Sequence, residues 1–148
     1  SMPYDTRTAF APCVQLIATP KVIAVNAARP WRDLPALLAD ARARPGAIRG
    51  GSAGNGSSLH IALALLNQLA GVEITHVPYR GAAPAVTDLV AGTLDLMVDN
   101  TPNILPQLRE GTARPLAVAT AARLPVLPDV PTAAEAGLPG FVFGTWFG

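Results

Sequence analysis

Apolar segments of strand length and of helix length alternate along this chain, and that alternation restricts the fold more than any single motif. "CVQLIA" (13–18) and "VIAVN" (22–26) predict buried strands with "TPK" between them. "WRDLPALLADARAR" (31–44) places Leu34, Leu37, Leu38 and Ala41 on one helical face. Asp33 in its first turn and Arg42 and Arg44 in its last suit the helix dipole, and Pro45-Gly46 ends it. "AIRGGS" (47–52) is a short strand, and "SSLHIALALLNQLAG" (57–71) is a strong helix closed by Gly71. Strands follow at 73–77, 94–100 and 114–120, with a helix reaching about residue 91 and a short one over about 102–109. Beyond Arg123, proline-rich "LPVLPDVPT" predicts an extended loop leading into a short helix at 133–136. The end, "GFVFGTWFG", reads as an apolar extended strand whose partners lie outside this chain. About five strand–helix alternations with short links predict an α/β domain: an open, mostly parallel sheet flanked by helices and joined by right-handed crossovers.

Composition removes several function classes. The 148 residues suit one domain, half of them are hydrophobic, 14% are charged, and the formal net charge is +1. That balance lacks the basic excess of a nucleic-acid partner. Positive charge is almost all arginine, with Lys21 the single lysine, and no basic stripe forms. Cys13 is the sole cysteine, so neither an intrachain disulfide nor a cysteine metal site is available, and it reads as a small buried hydrophobe. No apolar run reaches the roughly 18 residues of a membrane-spanning helix. No signal peptide is visible, and Ser1-Met2 reads as an expression remnant ahead of an internal segment.

The stretch "GGSAGNGSSLH" (50–60) nearly satisfies three chemistries at once. Gly50, Ser52 and Gly54 fit the nucleophile elbow G-x-S-x-G of a serine hydrolase. The only histidines are His60 and His76, and every aspartate after Ser52 lies beyond both. Glu73 does precede His76, but the pair sits on the one strand that directly follows the elbow helix, and no late histidine completes a triad. A phosphate loop needs lysine where Ser57 stands, and a dinucleotide fingerprint needs a third glycine where Leu59 stands. Neither histidine has a helical metal-ligand partner, so no metal or cofactor is expected. What remains is a strand that ends at Ser52 and a helix that begins near Ser57. Bare backbone N–H groups and positive dipole there suit a carboxylate or phosphate, with Ser57 and Ser58 as hydroxyl donors. The bland alternative is that Asn55 or Ser57 only caps the helix.

Two further strand-to-helix junctions, His76 to Gly81 and Asp99 to Thr101, fall at the same sheet edge, where open α/β folds bind ligands. Each residue also has a structural reading. His76 fits a satisfied core histidine, Tyr79 fits packing against a neighbouring loop, Asp99 fits a cap for the helix at Pro102, and Arg80 and Arg109 fit solvated positions.

"GSAGNGSSLHIA", "HVPYRGAAPAVTDLVAGTLDLMVDN" and "LPDVPTAAEAGLPGF" together resemble the Bug-type, TctC-like periplasmic solute receptors of tripartite tricarboxylate transporters. The likeness runs from Pro3-Tyr4-Asp5 to Trp146-Phe147-Gly148. It implies a periplasmic-binding-protein-like (type II) fold in which two α/β domains clamp a small carboxylate without catalysis. A hinged closure then presents the solute to a membrane permease. This chain resembles the second domain, with 1–26 and 141–148 as crossing strands, and the portion that carries the other half of the clamp is absent. Carried onto this sequence, the half-site is Ser52, Ala53, Gly54, Asn55, Gly56, Ser57, Ser58, His60, Tyr79 and Asp99. The competing readings are a serine hydrolase acting through Ser52 and a self-associating module recruited by its apolar end.

Overall fold

The computed structural model describes Asp5, Val14, Gln15 and residues 17–147, so Cys13 lies outside the described residues. Val14 and Gln15 are exposed and outside any strand, and the buried strand expected over 13–18 instead begins at Ile17 with an exposed start. The elements in chain order are β1 (Ile17–Asn26), α1 (Leu34–Ala43), β2 (Arg49–Ser52), α2 (Ser58–Ala70), β3 (Thr75–Pro78), α3 (Ala82–Ala91), β4 (Leu96–Asn100), α4 (Thr101–Glu110), β5 (Ala113–Val118) and β6 (Gly144–Phe147). The main sheet has the order β3-β2-β4-β1-β5. β2 is parallel to both β3 and β4, while β1 runs antiparallel to β4 and to β5. Four of these five strands therefore point one way, and the predicted mostly parallel α/β sheet is what forms.

Period-two alternation divides the core into two layers. Ile23, Val25, Leu96 and Val98 face α1 and α2, meeting Leu34, Leu37, Leu63 and Leu66. Val22, Ala24 and Met97 face the other way, onto Ala85 and Leu89 of α3 and Ile104 of α4. The central strands are covered on both faces, which is why they read as continuous apolar runs.

Three further expectations need correction. "TPK" is not a break between two strands but part of the ten-residue β1. Up to Pro20 this strand pairs with β6, and from Lys21 onward it pairs with β4 and β5, so the proline sits where the strand changes partners. The apolar end likewise finds its partner within the chain, as β6 against Ile17–Pro20. The helix expected at 133–136 is a turn, held by Ala136 N–H to the Thr132 carbonyl and Leu138 N–H to the Ala133 carbonyl. Glu135 accepts from the Thr132 N–H and the Thr132 hydroxyl accepts from the Glu135 N–H, a capping box without a helix to follow it.

The glycines that open "GGSAGNGSSLH" serve packing. A Cβ on Gly51 would sit 2.3 Å from Leu94 Cδ1, and one on Gly50 would sit 2.7 Å from Leu63 Cδ2. Their absence lets helices close on both faces of β2.

Candidate ligand-binding edge

The carboxyl ends of β2, β3 and β4 and the amino end of the reversed strand β1 meet at one edge of the sheet. Ser57 caps α2, its hydroxyl oxygen accepting from the His60 N–H at 3.2 Å. The N–H groups of Ser58 and Leu59, which open the helix, have no partner inside it. Ser58 Oγ accepts from Lys21 Nζ at 3.1 Å. Both serine hydroxyls thus accept from the protein, and each retains a proton to donate.

Ala53 and Gly54 are half-buried, and Asn55 and Gly56 are exposed, so the loop faces solvent. Ser52 does not: it is fully buried, with Oγ 2.6 Å from His76 Nε2 and the Gly54 N–H donating to Oγ at 3.1 Å. His76 stacks on His60 with ring centroids 3.9 Å apart, and His60 Nδ1 accepts the Gly56 N–H at 3.1 Å. Two imidazoles under the loop therefore hold Gly54 through Ser52 and hold Gly56 directly. The expected site residue His60 supports the loop, and His76, read from sequence as a core histidine, belongs to the same support.

Burial, and then the charge of His60, push the His76 pKa below its ordinary value of 6.5. The unfolded chain consequently takes up a proton at His76 more readily than the folded one does. Its contribution to stability is complete above about pH 6.5 and is lost as pH falls below it. Unfolding measured between about pH 7.5 and 5.5 should show declining stability, and His76→Gln should flatten the decline. An equal slope in both proteins would remove His76 as its source.

Tyr79 reaches this edge with both polar groups engaged. Its N–H donates to the Ser52 carbonyl at 3.0 Å, and its hydroxyl donates to Asp88 Oδ2 at 2.6 Å. Burial first, then the hydrogen bond to Asp88, push its pKa up to about 12. Asp99 is fully buried and does not cap α4, whose N-cap is Asn100. Its Oδ1 accepts from the Asn100 N–H at 2.6 Å and from Asn103 Nδ2 at 3.4 Å, while Oδ2 is buried with no partner among the described residues. Desolvation raises its pKa, with the hydrogen bonds and Lys21 opposing.

Sequence reasoning missed Lys21. Its side chain is fully buried, and Nζ donates to Asn100 Oδ1 at 2.8 Å as well as to Ser58, joining β1, β4 and the start of α2. Burial pulls its pKa down and Asp99 pulls it up. The available signal was one lysine among ten arginines, set inside an apolar run.

All 148 residues match the family model of the tripartite tricarboxylate transporter family receptor, TctC. The chain belongs to this family. Among relatives, Protein BugT of Bordetella pertussis is 35% identical over 147 residues, which are 99% of this chain and 45% of BugT. Rpa4515 of R. palustris, solved with adipate, superposes with a TM-score of 0.92 at 41% identity, over 99% of this chain and 49% of that one. MatC (Rpa3494) from Rhodopseudomonas palustris with bound malate gives 0.85 at 39% identity, over 89% of this chain and 45% of that one. This TctC chain thus spans under half the length of those proteins.

The hydrolase alternative finds no support in this TctC edge. The serine–histidine contact exists, but among the described residues no carboxylate hydrogen-bonds to His76, and its neighbour is a second imidazole. Among the described residues no group of three or more metal-ligating side chains forms, and no helix is long and apolar enough to cross a membrane.

Proposed function

We propose that this chain supplies one lobe of a receptor that captures a small carboxylate outside the cytoplasmic membrane and releases it, unchanged, to a permease. The observation that carries the reading is the meeting at one sheet edge of two helix N–H groups without a partner inside the helix, two serine hydroxyls that each retain a proton to donate, and a buried aspartate with an oxygen unpartnered among the described residues. Donors gathered at a helix N-terminus suit a carboxylate. The acids held by Rpa4515 and MatC, adipate and malate, are of this class. The β1–β6 ribbon is assigned to the crossing between lobes. Exposed Ile17 and Trp146 on it give the second lobe an apolar surface to cover.

Asp99 is buried, and desolvation raises its pKa, so holding a charge there opposes folding. It is assigned to a hydroxyl or ammonium on the solute, or to a water beside it. Asp99→Asn should raise stability at neutral pH by about 1 kcal/mol, because it removes a poorly solvated charge. It should weaken a hydroxy acid such as malate by about tenfold while leaving adipate unweakened. Calorimetry with both acids on the complete receptor measures this, and unchanged affinity for every acid removes Asp99 from the site. Labelling of Ser52 by a fluorophosphonate probe would instead restore the hydrolase reading.

A further inference from the structure

The opposite edge of the sheet, where β2 and β4 begin, carries a cluster that the solute site does not use. A cavity of about 220 Å³ is lined there by Arg29, Arg44, Arg49, Trp31 and Asp95, so three guanidinium groups face one carboxylate. Asp95 is buried and saturated. Its Oδ1 takes Arg29 Nη2 at 2.6 Å, and its Oδ2 takes the Arg49 N–H at 2.7 Å and Arg49 Nε at 3.3 Å. It fixes two arginines and so balances only one of their two charges. Arg44 is held by Asp40, which also accepts from Trp31 Nε1 at 2.9 Å, so the third guanidinium and the tryptophan wall share one anchor.

Each anchor uses only part of its guanidinium. Among the described residues the side chain of Arg49 is engaged through Nε alone, which leaves both Nη groups free. Arg44 is engaged through Nε and Nη2, and Arg29 through Nη2, leaving one Nη of each. At the negative end of α3, Arg29 Nη2 also donates to the Gly92 carbonyl at 3.0 Å. The side chains are 34% exposed for Arg29, 44% for Arg49 and 57% for Arg44, and Arg29 Nε is buried without a partner among the described residues.

We propose that this cavity is a second binding site, for a small oxyanion such as phosphate, sulfate or a single carboxylate group. Planar, pre-oriented N–H pairs match the oxygens of such anions, and the arginines are already ordered before binding. A cavity of about 220 Å³ has room for the anion and a few waters, but not for a nucleotide. Since the site lies at the far end of β2 from Ser52, occupancy does not compete with the solute.

Inorganic phosphate, titrated at constant ionic strength held with sodium chloride, tests the proposal by thermal shift and calorimetry on the complete receptor. Saturable stabilisation by phosphate is expected, with affinity reduced at least tenfold in Arg49→Met and in the more exposed Arg44→Gln. Solute binding should be unaffected in both variants. Because Arg44→Gln leaves the Asp95 anchors intact, it decides the matter if Arg49→Met fails to fold. A phosphate response no greater than that of chloride, or one equal in wild type and Arg44→Gln, overturns the site.

Discussion

Gly54→Ala is expected to destabilise the protein by about 2–3 kcal/mol and to weaken carboxylate binding by about tenfold or more. Gly54 has a φ of 122°, and an added Cβ would stand 3.2 Å from the Tyr79 carbonyl oxygen, a backbone atom that cannot rotate away. The loop would have to leave the Ser52 hydroxyl that its N–H now reaches, taking the start of α2 with it. Gly56→Ala is the control. Gly56 also has a positive φ, of 78°, but an added Cβ meets nothing within 4 Å, so about 1 kcal/mol is expected. Chemical unfolding and calorimetry on both variants rank them. Equal losses would show that the approach to Tyr79 does not set the loop's shape.

Lys21→Ala should cost about 3–4 kcal/mol, since it empties a packed position and strips Asp99 of its nearest counter-charge. Lys21→Met keeps most of the volume and should cost about half as much. The two variants share an electrostatic signature. Asp99 already titrates above its ordinary value, so it favours the folded state below about pH 3.9, and that contribution is lost as pH rises through the folded value. Without the ammonium the folded value climbs further and the window widens. Both variants should therefore lose more stability than wild type between about pH 4 and 7. A constant difference across that range would mean that Lys21 acts through packing alone.

The contrast between Lys21 and Ser57 shows where reading a chain from its residues stops. Ser57 could be named, beside Asn55, as a candidate cap because capping is local: the hydroxyl and the N–H it meets are three residues apart. The helix it starts carried its own stop in Gly71, whose φ of 61° is the left-handed C-cap expected there. Lys21 meets groups 37 and 79 residues away, and no periodicity in the chain encodes such meetings. The same distance hid the role of His76. Its ring could be placed on a strand from the sequence, but not against Ser52, 24 residues earlier, nor over His60.

Local patterning by itself determined the α/β class, the approximate limits of α1 and α2, and the glycine-to-serine junction as the turn from β2 into α2, because caps, turns and apolar periods act within a few residues. The tertiary structure alone decided that β1 runs against its neighbours. That reversal brings Lys21 to the carboxyl ends of β2 and β4 and makes one continuous strand of two predicted ones. The tertiary structure also decided that Ser52 turns inward, since its hydroxyl is satisfied by an imidazole from the next strand and not by solvent. Hydrogen bonds and charges between distant elements exist only once the sheet order is set, and the edge that the sequence marked with glycines is held in place by those.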